Sequence, residues 1–308
     1  MSRVVITASS FCKNEILCAE VVAALPGVEI VFHPLDAQSS PLEVATSLNG
    51  FDGAIVGREP ITNEVMMQAS PPRFLAKFGV GMDNIDPAVL AGLTVLATPG
   101  SNAFAVAEHT IGLILGLTHN IARCDRQLRA GTWWKNGGTA LAGKTVAIIG
   151  VGHIGYRVAR LMRAFDCQVI GVDVLDKSEL LAEIGARQLD LAAAIGIADI
   201  ATFHVPFTQL TGNMVSRELL ASMRSGSWLV NTCRGEIVVE SELLDALNSG
   251  HLAGAGLDVF QVEPSENKEL INHPRVICTP HTAGNSLEAV MAMGRASIAM
   301  VVNQIKTL

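Results

Sequence analysis

Three stretches carry side chains able to exchange a proton and hold an anion: "VNTCRGEIV" around Arg234, "GLDVFQVEP" around Glu263 and "CTPHTAG" around His281. The first and third follow strand-like runs directly, and the second lies just beyond one. Open α/β sheets bind ligands at the C-terminal ends of their strands. Arg offers a planar, permanently charged fork for a carboxylate and a developing alkoxide. His exchanges a proton near neutral pH. Glu can hold the imidazole and favour its cationic form. Together they suit hydride transfer to or from a hydroxy acid. Taken singly, each also has a structural reading: a surface ion pair for the Arg, a strand end for Glu-Pro, a backbone-satisfied turn for the His. Their joint occurrence beside a nucleotide motif favours the chemical reading.

That motif is "KTVAIIGVGHIGYRVARLMRAFDCQVIGVDVLDK", residues 144–177. A dinucleotide pyrophosphate needs close approach by backbone N–H groups. Gly150 allows the tight turn after the strand, Gly152 leaves no side chain to block phosphates, and Gly155 lets the next helix pack against the strand. Asp173 closes the second strand, at the distance expected for an acceptor of adenosine ribose hydroxyls. Three glycines alone are a weak signal; strand, glycines, helix, strand and terminal acid in order are a strong one. An aspartate there would repel a 2′-phosphate, and no Arg follows at Val174 or Leu175, so the expected cofactor is NAD rather than NADP.

The surrounding pattern supplies a scaffold. Strand-like runs at 3–8, 29–33, 53–57, 73–78 and 94–98 alternate with helical segments such as 14–24 and 61–69. One long helix is expected over 103–129, with Asn102 as its N-cap. Six further strands follow at 145–149, 168–172, 200–205, 228–231, 255–259 and 276–279, then a helix over 287–305. The expected fold is α/β with two doubly wound parallel-sheet domains. A Rossmann NAD-binding domain, 100–285, is inserted in a flavodoxin-like substrate domain, 1–99 plus 286–308.

The chain has 308 residues, 49% of them hydrophobic, and a formal net charge of −7. The acidic balance argues against a nucleic-acid partner. Apolar stretches such as 111–117 are too short for a bilayer span, and the N-terminus lacks a signal-peptide pattern. Six scattered cysteines without a C-x-x-C pair imply reduced thiols and a cytoplasmic setting. The eight histidines lack metal-ligand spacing, so no metal is expected.

With "FGVGMDNID" at 78–86, "NAFAVAEHTIGLIL" from Asn102, "GKTVAIIGVGHIG" from Gly143, "HVPFT" at 204–208, and the stretches around Arg234, Glu263 and His281, the chain resembles the D-isomer-specific 2-hydroxyacid dehydrogenases. The D-3-phosphoglycerate dehydrogenase branch is the most similar. The resemblance covers essentially the whole chain. It implies that Arg234, Glu263 and His281 are catalytic. Backbone N–H groups of Gly79, Val80 and Gly81 would bind the substrate carboxylate, with Arg234 and His281 completing the substrate site. The cofactor site would add His153, Ile154, Val205, Pro206, Thr232, Cys233, Arg234, Asp258, His281 and Gly284. Val205 and Pro206 would border the adenine side, and Asp258 would hold the carboxamide. His153 departs from the Arg frequent in this family, which implies a weaker or pH-dependent pyrophosphate contact. The chain ends at Leu308, so serine feedback through a C-terminal regulatory domain is not expected. Arg58 and Lys77 are the nearest candidates for a second anion contact, and a surface role for either fits equally. The region 103–138 would embrace a second subunit in a two-fold homodimer, with Trp134 reaching toward the partner's site.

The implied activity is NAD-dependent hydride transfer on a small anionic D-2-hydroxy acid such as 3-phosphoglycerate, or on glyoxylate or hydroxypyruvate as the oxo acid. A formate dehydrogenase shares the architecture but carries Gln where Glu263 stands. A dinucleotide-sensing corepressor on the same fold is the alternative from another class.

Overall fold

The computed structural model describes residues 1–68 and 70–308. The chain forms two compact units, Met1–Asn102 with Asn285–Leu308, and Ala103–Gly284. Each is built on a sheet whose strands all pair in parallel.

In the first unit β1 (Arg3–Ala8), β2 (Glu29–Leu35), β3 (Gly53–Val56), β4 (Phe74–Lys77) and β5 (Thr94–Leu96) lie in the order β2-β1-β3-β4-β5. This is the flavodoxin-type order. The central strands are continuous apolar runs because helices cover both faces. On one face Val4 and Ile6 pack with Phe11, Leu17, Ile298 and Val301. On the other Val5, Ala54 and Leu75 pack with Val44 and Leu48. The helix Pro41–Leu48 starts from a capping box of Ser40 and Glu43. The helix Leu287–Ile305 starts at Ser286, whose side chain accepts from Ala289 N–H. β2 runs past the expected residue 33, because its pairing with β1 resumes at Ala8 and Leu35 after a register shift. The helix expected over 61–69 covers Asn63–Gln68 instead. Ile61 is taken by an isolated bridge to Ile85, and Ala69 lies outside the described residues.

In the second unit β6 (Thr145–Ile149), β7 (Gln168–Val172), β8 (Arg187–Gln188), β9 (Ile200–Phe203), β10 (Ser227–Asn231), β11 (Leu252–Leu257) and β12 (Val276–Cys278) lie in the order β12-β11-β10-β9-β6-β7-β8. The chain moves outward from β6 through β7 to β8, then returns to β9 on the other side. That reversal opens a crevice beyond the C-terminal ends of β6 and β9. The sheet has seven strands rather than the six expected. The additional one, β8, is two polar residues long and carries no alternation that could announce it.

The long helix expected over 103–129 is two helices, Ala103–Thr118 and Ile121–Arg129, parted at Asn120 with φ 54°. The break is tertiary. Thr139 N–H donates to Thr118 O at 2.6 Å and Asn120 Nδ2 donates to Gly137 O at 3.1 Å. A Cβ on Gly138 would lie 2.2 Å from Thr118 O, so this strip crosses tightly over the helix end. Asn102 does not act as the expected N-cap, since its buried Oδ1 has no hydrogen-bond partner.

Candidate active site

The glycine loop follows β6 and leads into the helix His153–Ala164. Gly150 has φ 92°, and a Cβ there would come 2.5 Å from His204 O at the end of β9. Only glycine permits both the left-handed turn and this approach. A Cβ on Gly155 would meet Gly150 O at 1.9 Å, so the helix is seated directly on the loop. A Cβ on Gly152 would meet nothing within 4 Å, leaving open space above the helix start. The first backbone N–H groups of that helix, at His153 and Ile154, have no intrahelical acceptor. His153 is exposed, while Ile154 packs toward the core.

Asp173 directly follows β7. Its Oδ2 accepts from Val151 N–H at 2.8 Å and its Oδ1 from Leu175 N–H at 3.0 Å. A carboxylate has about four lone-pair sites, so capacity remains for hydroxyl donors. Gln188 of β8 ties this loop down. Its Nε2 donates to Asp173 O at 3.1 Å and Leu175 O at 2.9 Å, while its Oε1 accepts from Lys177 N–H at 2.6 Å. Nothing in the sequence pointed to Gln188.

His204 directly follows β9, beside Val205 and Pro206. Part of the residue reaches solvent, yet burial of its ring pushes the imidazole down to about 3, which keeps it neutral. Its Nε2 lies 3.1 Å from Thr202 Oγ1, and its buried Nδ1 has no partner. A cradle that Cβ atoms would fill, an acid at the neighbouring strand end and an orphaned ring nitrogen together fit a dinucleotide.

Arg234, Glu263 and His281 belong to loops after β10, β11 and β12. A Cβ on Gly235 would lie 1.9 Å from Phe260 C, so the Arg234 loop is pressed against the loop that carries Glu263. Asn231, fully buried at the end of β10, braces Arg234: its Nδ2 donates to Arg234 O at 2.8 Å and its Oδ1 accepts from Cys233 N–H at 3.1 Å. Arg234 Nη1 donates to Cys233 O at 2.6 Å. Burial pushes the Cys233 thiol up to about 11, so it stays protonated. Thr232 Oγ1 lies 2.9 Å from Thr110 Oγ1 in the helix Ala103–Thr118.

His281 Nδ1 lies 2.7 Å from Glu263 Oε2, and Glu263 Oε1 accepts from Phe260 N–H at 3.3 Å. A carboxylate only accepts, so Nδ1 carries the hydrogen of this contact. His281 has φ 53°, an uncommon backbone for a residue with a side chain. It is held there by its N–H bond to Asp258 O at 2.7 Å. Asp258 is 1% exposed. Its Oδ1 accepts from Thr279 Oγ1 at 2.6 Å and Thr282 N–H at 2.8 Å, and its Oδ2 from Ala283 N–H at 2.9 Å. Asp258 is thereby the anchor of the His281 loop, which ends at Gly284.

In the first unit Gly79, Val80 and Gly81 follow β4. Gly79 has φ 130°, and its carbonyl accepts from Thr98 Oγ1 at 2.8 Å. Lys77 is 4% exposed and its Nζ donates to Gly57 O, so it braces the β3 and β4 ends rather than standing at the surface. Glu59 is fully buried, with Gly57 N–H donating to both its oxygens at 3.0 Å. Arg58 is exposed. In the second unit Trp134 lies under the Arg123 guanidinium, 4.5 Å from centroid to Cζ, and Trp133 is 79% exposed.

Residues 111–283 match the sequence model of the D-isomer specific 2-hydroxyacid dehydrogenase NAD binding domain. The chain belongs to the D-isomer specific 2-hydroxyacid dehydrogenases. Within that family it is similar to the D-3-phosphoglycerate dehydrogenase of Bacillus subtilis, at 34% identity over 257 residues, covering 82% of this chain and 49% of that protein. This dehydrogenase-family chain spans about half the length of the curated relatives it matches. Among solved structures it is similar to a D-lactate dehydrogenase from Aquifex aeolicus complexed with NAD and lactic acid, with a TM-score of 0.87 and 25% identity over 99% of this chain and 96% of that one. A NAD-dependent formate dehydrogenase from Staphylococcus aureus, in complex with NAD, gives a TM-score of 0.83 and 26% identity over 98% and 94%. The cofactor of this chain is NAD. No helix among the described residues is long and apolar enough to cross a membrane.

Proposed function

We propose that the chain interconverts a small anionic D-2-hydroxy acid and its 2-oxo acid with NAD. The observation that carries this reading is the 2.7 Å His281–Glu263 pair, in loops that also bring Arg234 to the sheet's C-terminal edge. NAD, when bound, accepts the hydride from C2, and its reduced form returns it. His281 Nε2 gives a proton to the oxygen on C2 during reduction and takes it back during oxidation. Glu263 holds the ring through Nδ1–H and balances the imidazolium charge. Arg234 binds the substrate carboxylate and carbonyl, so that C2 is presented in one orientation. In the first unit, the N–H groups of Gly79, Val80 and Gly81 are proposed donors to a carboxylate. Asp173 sets the preference for NAD.

The substrate class is 3-phosphoglycerate-like, or glyoxylate and hydroxypyruvate as oxo acids. Similarity to D-3-phosphoglycerate dehydrogenases supports the first, and Arg58 is a candidate cation for a second anionic group. Formate has no hydroxyl proton, so a carboxylate-held imidazole would have nothing to exchange with it. The test is NADH oxidation with hydroxypyruvate, glyoxylate, pyruvate and 3-phosphohydroxypyruvate, alongside NAD reduction with formate. Turnover of at least one oxo acid and none of formate is expected. Tight NADH binding with no turnover of any acid would instead mark a dinucleotide-sensing protein.

A further inference from the structure

We infer that His109 is a positioning residue for His281, acting through a hydrogen-bonded chain that runs from its Nε2 through Thr279 to the buried Asp258. The inference rests on reading His281 as the proton donor. His109 lies on the helix Ala103–Thr118, with its Nε2 2.8 Å from Thr279 Oγ1. The direct distance from that nitrogen to Asp258 Oδ1 is 3.6 Å, too long for a hydrogen bond, so Thr279 mediates.

Counting protons fixes the direction of this chain. Thr279 Oγ1 has one hydrogen, and it goes to Asp258 Oδ1 at 2.6 Å, the shortest contact and one made to a carboxylate. His109 Nε2 must therefore be the donor to Thr279. Nε2 of His109 therefore carries a hydrogen. Asp258 is in turn the anchor of residues 279–283 and accepts His281 N–H through its own carbonyl. Removing the His109 donor frees the Thr279 hydroxyl to rotate and takes one fixed bond from the loop that holds His281 in its left-handed conformation.

The next residue does the parallel task for Arg234. Thr110 Oγ1 donates to Val106 O at 2.8 Å, so the hydrogen in its 2.9 Å contact with Thr232 comes from Thr232. Consecutive residues of one helix thus hold the loop of the anion-binding Arg and the loop of the proton-donating His.

The first test is the ring 15N spectrum of histidine-labelled protein, with His109 assigned by its loss in His109→Gln. A hydrogen on Nε2 of His109 is expected; a ring protonated on Nδ1 alone overturns the inference. The second test is kinetic, with the best oxo acid of the panel. His109→Leu should lower kcat about tenfold or more, the scale of a misplaced reacting group, while the NADH dissociation constant from fluorescence stays within about twofold. His109→Gln should recover most of the loss, because the amide nitrogen of Gln can donate where Nε2 does. Thr279→Val should match His109→Leu, and the double variant should be no worse than either, as expected for one chain. Wild-type kcat in His109→Leu, equal damage in the Gln variant, or multiplying effects would each overturn it. If His109→Leu does not fold, the Gln and Thr279→Val arms still decide. His281→Ala with wild-type kcat would instead bring down the donor reading itself, a result distinct from intact His109→Leu beside inactive His281→Ala.

Discussion

The carboxylate of Glu263 meets the imidazole of His281 at 2.7 Å, although the two residues belong to loops after different strands. The contact constrains the ring's tautomer and places a negative charge beside it. Glu263→Gln keeps a hydrogen-bonding group but removes that charge. The ring then keeps its tautomer but has no negative charge beside it when the proton moves. Glu263→Gln should therefore lower kcat for oxo acid reduction about tenfold or more, while the NADH dissociation constant is largely kept. An unchanged kcat would separate Glu263 from the proton transfer.

Asp173 accepts the N–H of Val151 within the glycine loop, and in the proposed complex it would also accept from the adenosine ribose hydroxyls. Its charge is the repulsive element against a 2′-phosphate. NADH should be preferred over NADPH in kcat/KM. Asp173→Ser should narrow that ratio, chiefly by improving NADPH. A wild-type ratio favouring NADPH would refute the assignment.

Gly235 is placed where any Cβ would overlap the Phe260 backbone. Backbone cannot yield as a flexible side chain can, so Gly235→Ala must shift the Arg234 loop or the Glu263 loop. The expected result is an unfolding free energy lower by about 1–3 kcal/mol of overpacking strain, read from urea denaturation, together with loss of kcat. Unchanged stability and turnover would show that the two loops are not tightly coupled.

What the sequence made legible was the alternation of strands and helices and the residues whose chemistry is unusual at strand ends. Gly150, Gly155 and Asp173 announce themselves because a phosphate-binding turn tolerates few alternatives. The break at Asn120 was hidden, since it comes from residues 137–139 crossing the helix, a contact no local pattern encodes. β8 was hidden for a different reason: two polar residues on a sheet edge have no periodicity. Gln188, Asn231 and His109 brace the loops of the site through side-chain hydrogen bonds. Their types are common, and only the fold gives them a role. Lys77 shows the reverse, a charged residue suggestive of anion binding that the structure buries against a backbone carbonyl.

The helices Ala103–Thr118 and Ile121–Arg129 and the segment that follows them present Trp133, 79% exposed, beside the Arg123–Trp134 stack. We propose that this region forms a two-fold homodimer interface. Light scattering at micromolar concentration should give twice the chain mass, and Trp133→Lys should shift the protein toward monomer. A monomeric wild type would refute the dimer.

Arg234 and His281 should fail in different ways when replaced. His281 acts when charge develops on the oxygen at C2, so His281→Ala should lower kcat by about 10²–10⁴-fold, the usual worth of a positioned acid. NADH binding, measured by fluorescence, should be largely kept. Arg234 touches the substrate before and during the reaction, so Arg234→Ala should raise KM and lower kcat together. Arg234→Lys should recover little, because a single ammonium cannot reproduce a two-pronged grip on a carboxylate. The discriminating measurement is the separate determination of kcat and KM for all three variants with one oxo acid. If His281→Ala changes KM alone, or Arg234→Ala changes kcat alone, the two roles have been exchanged and the proton comes from another group.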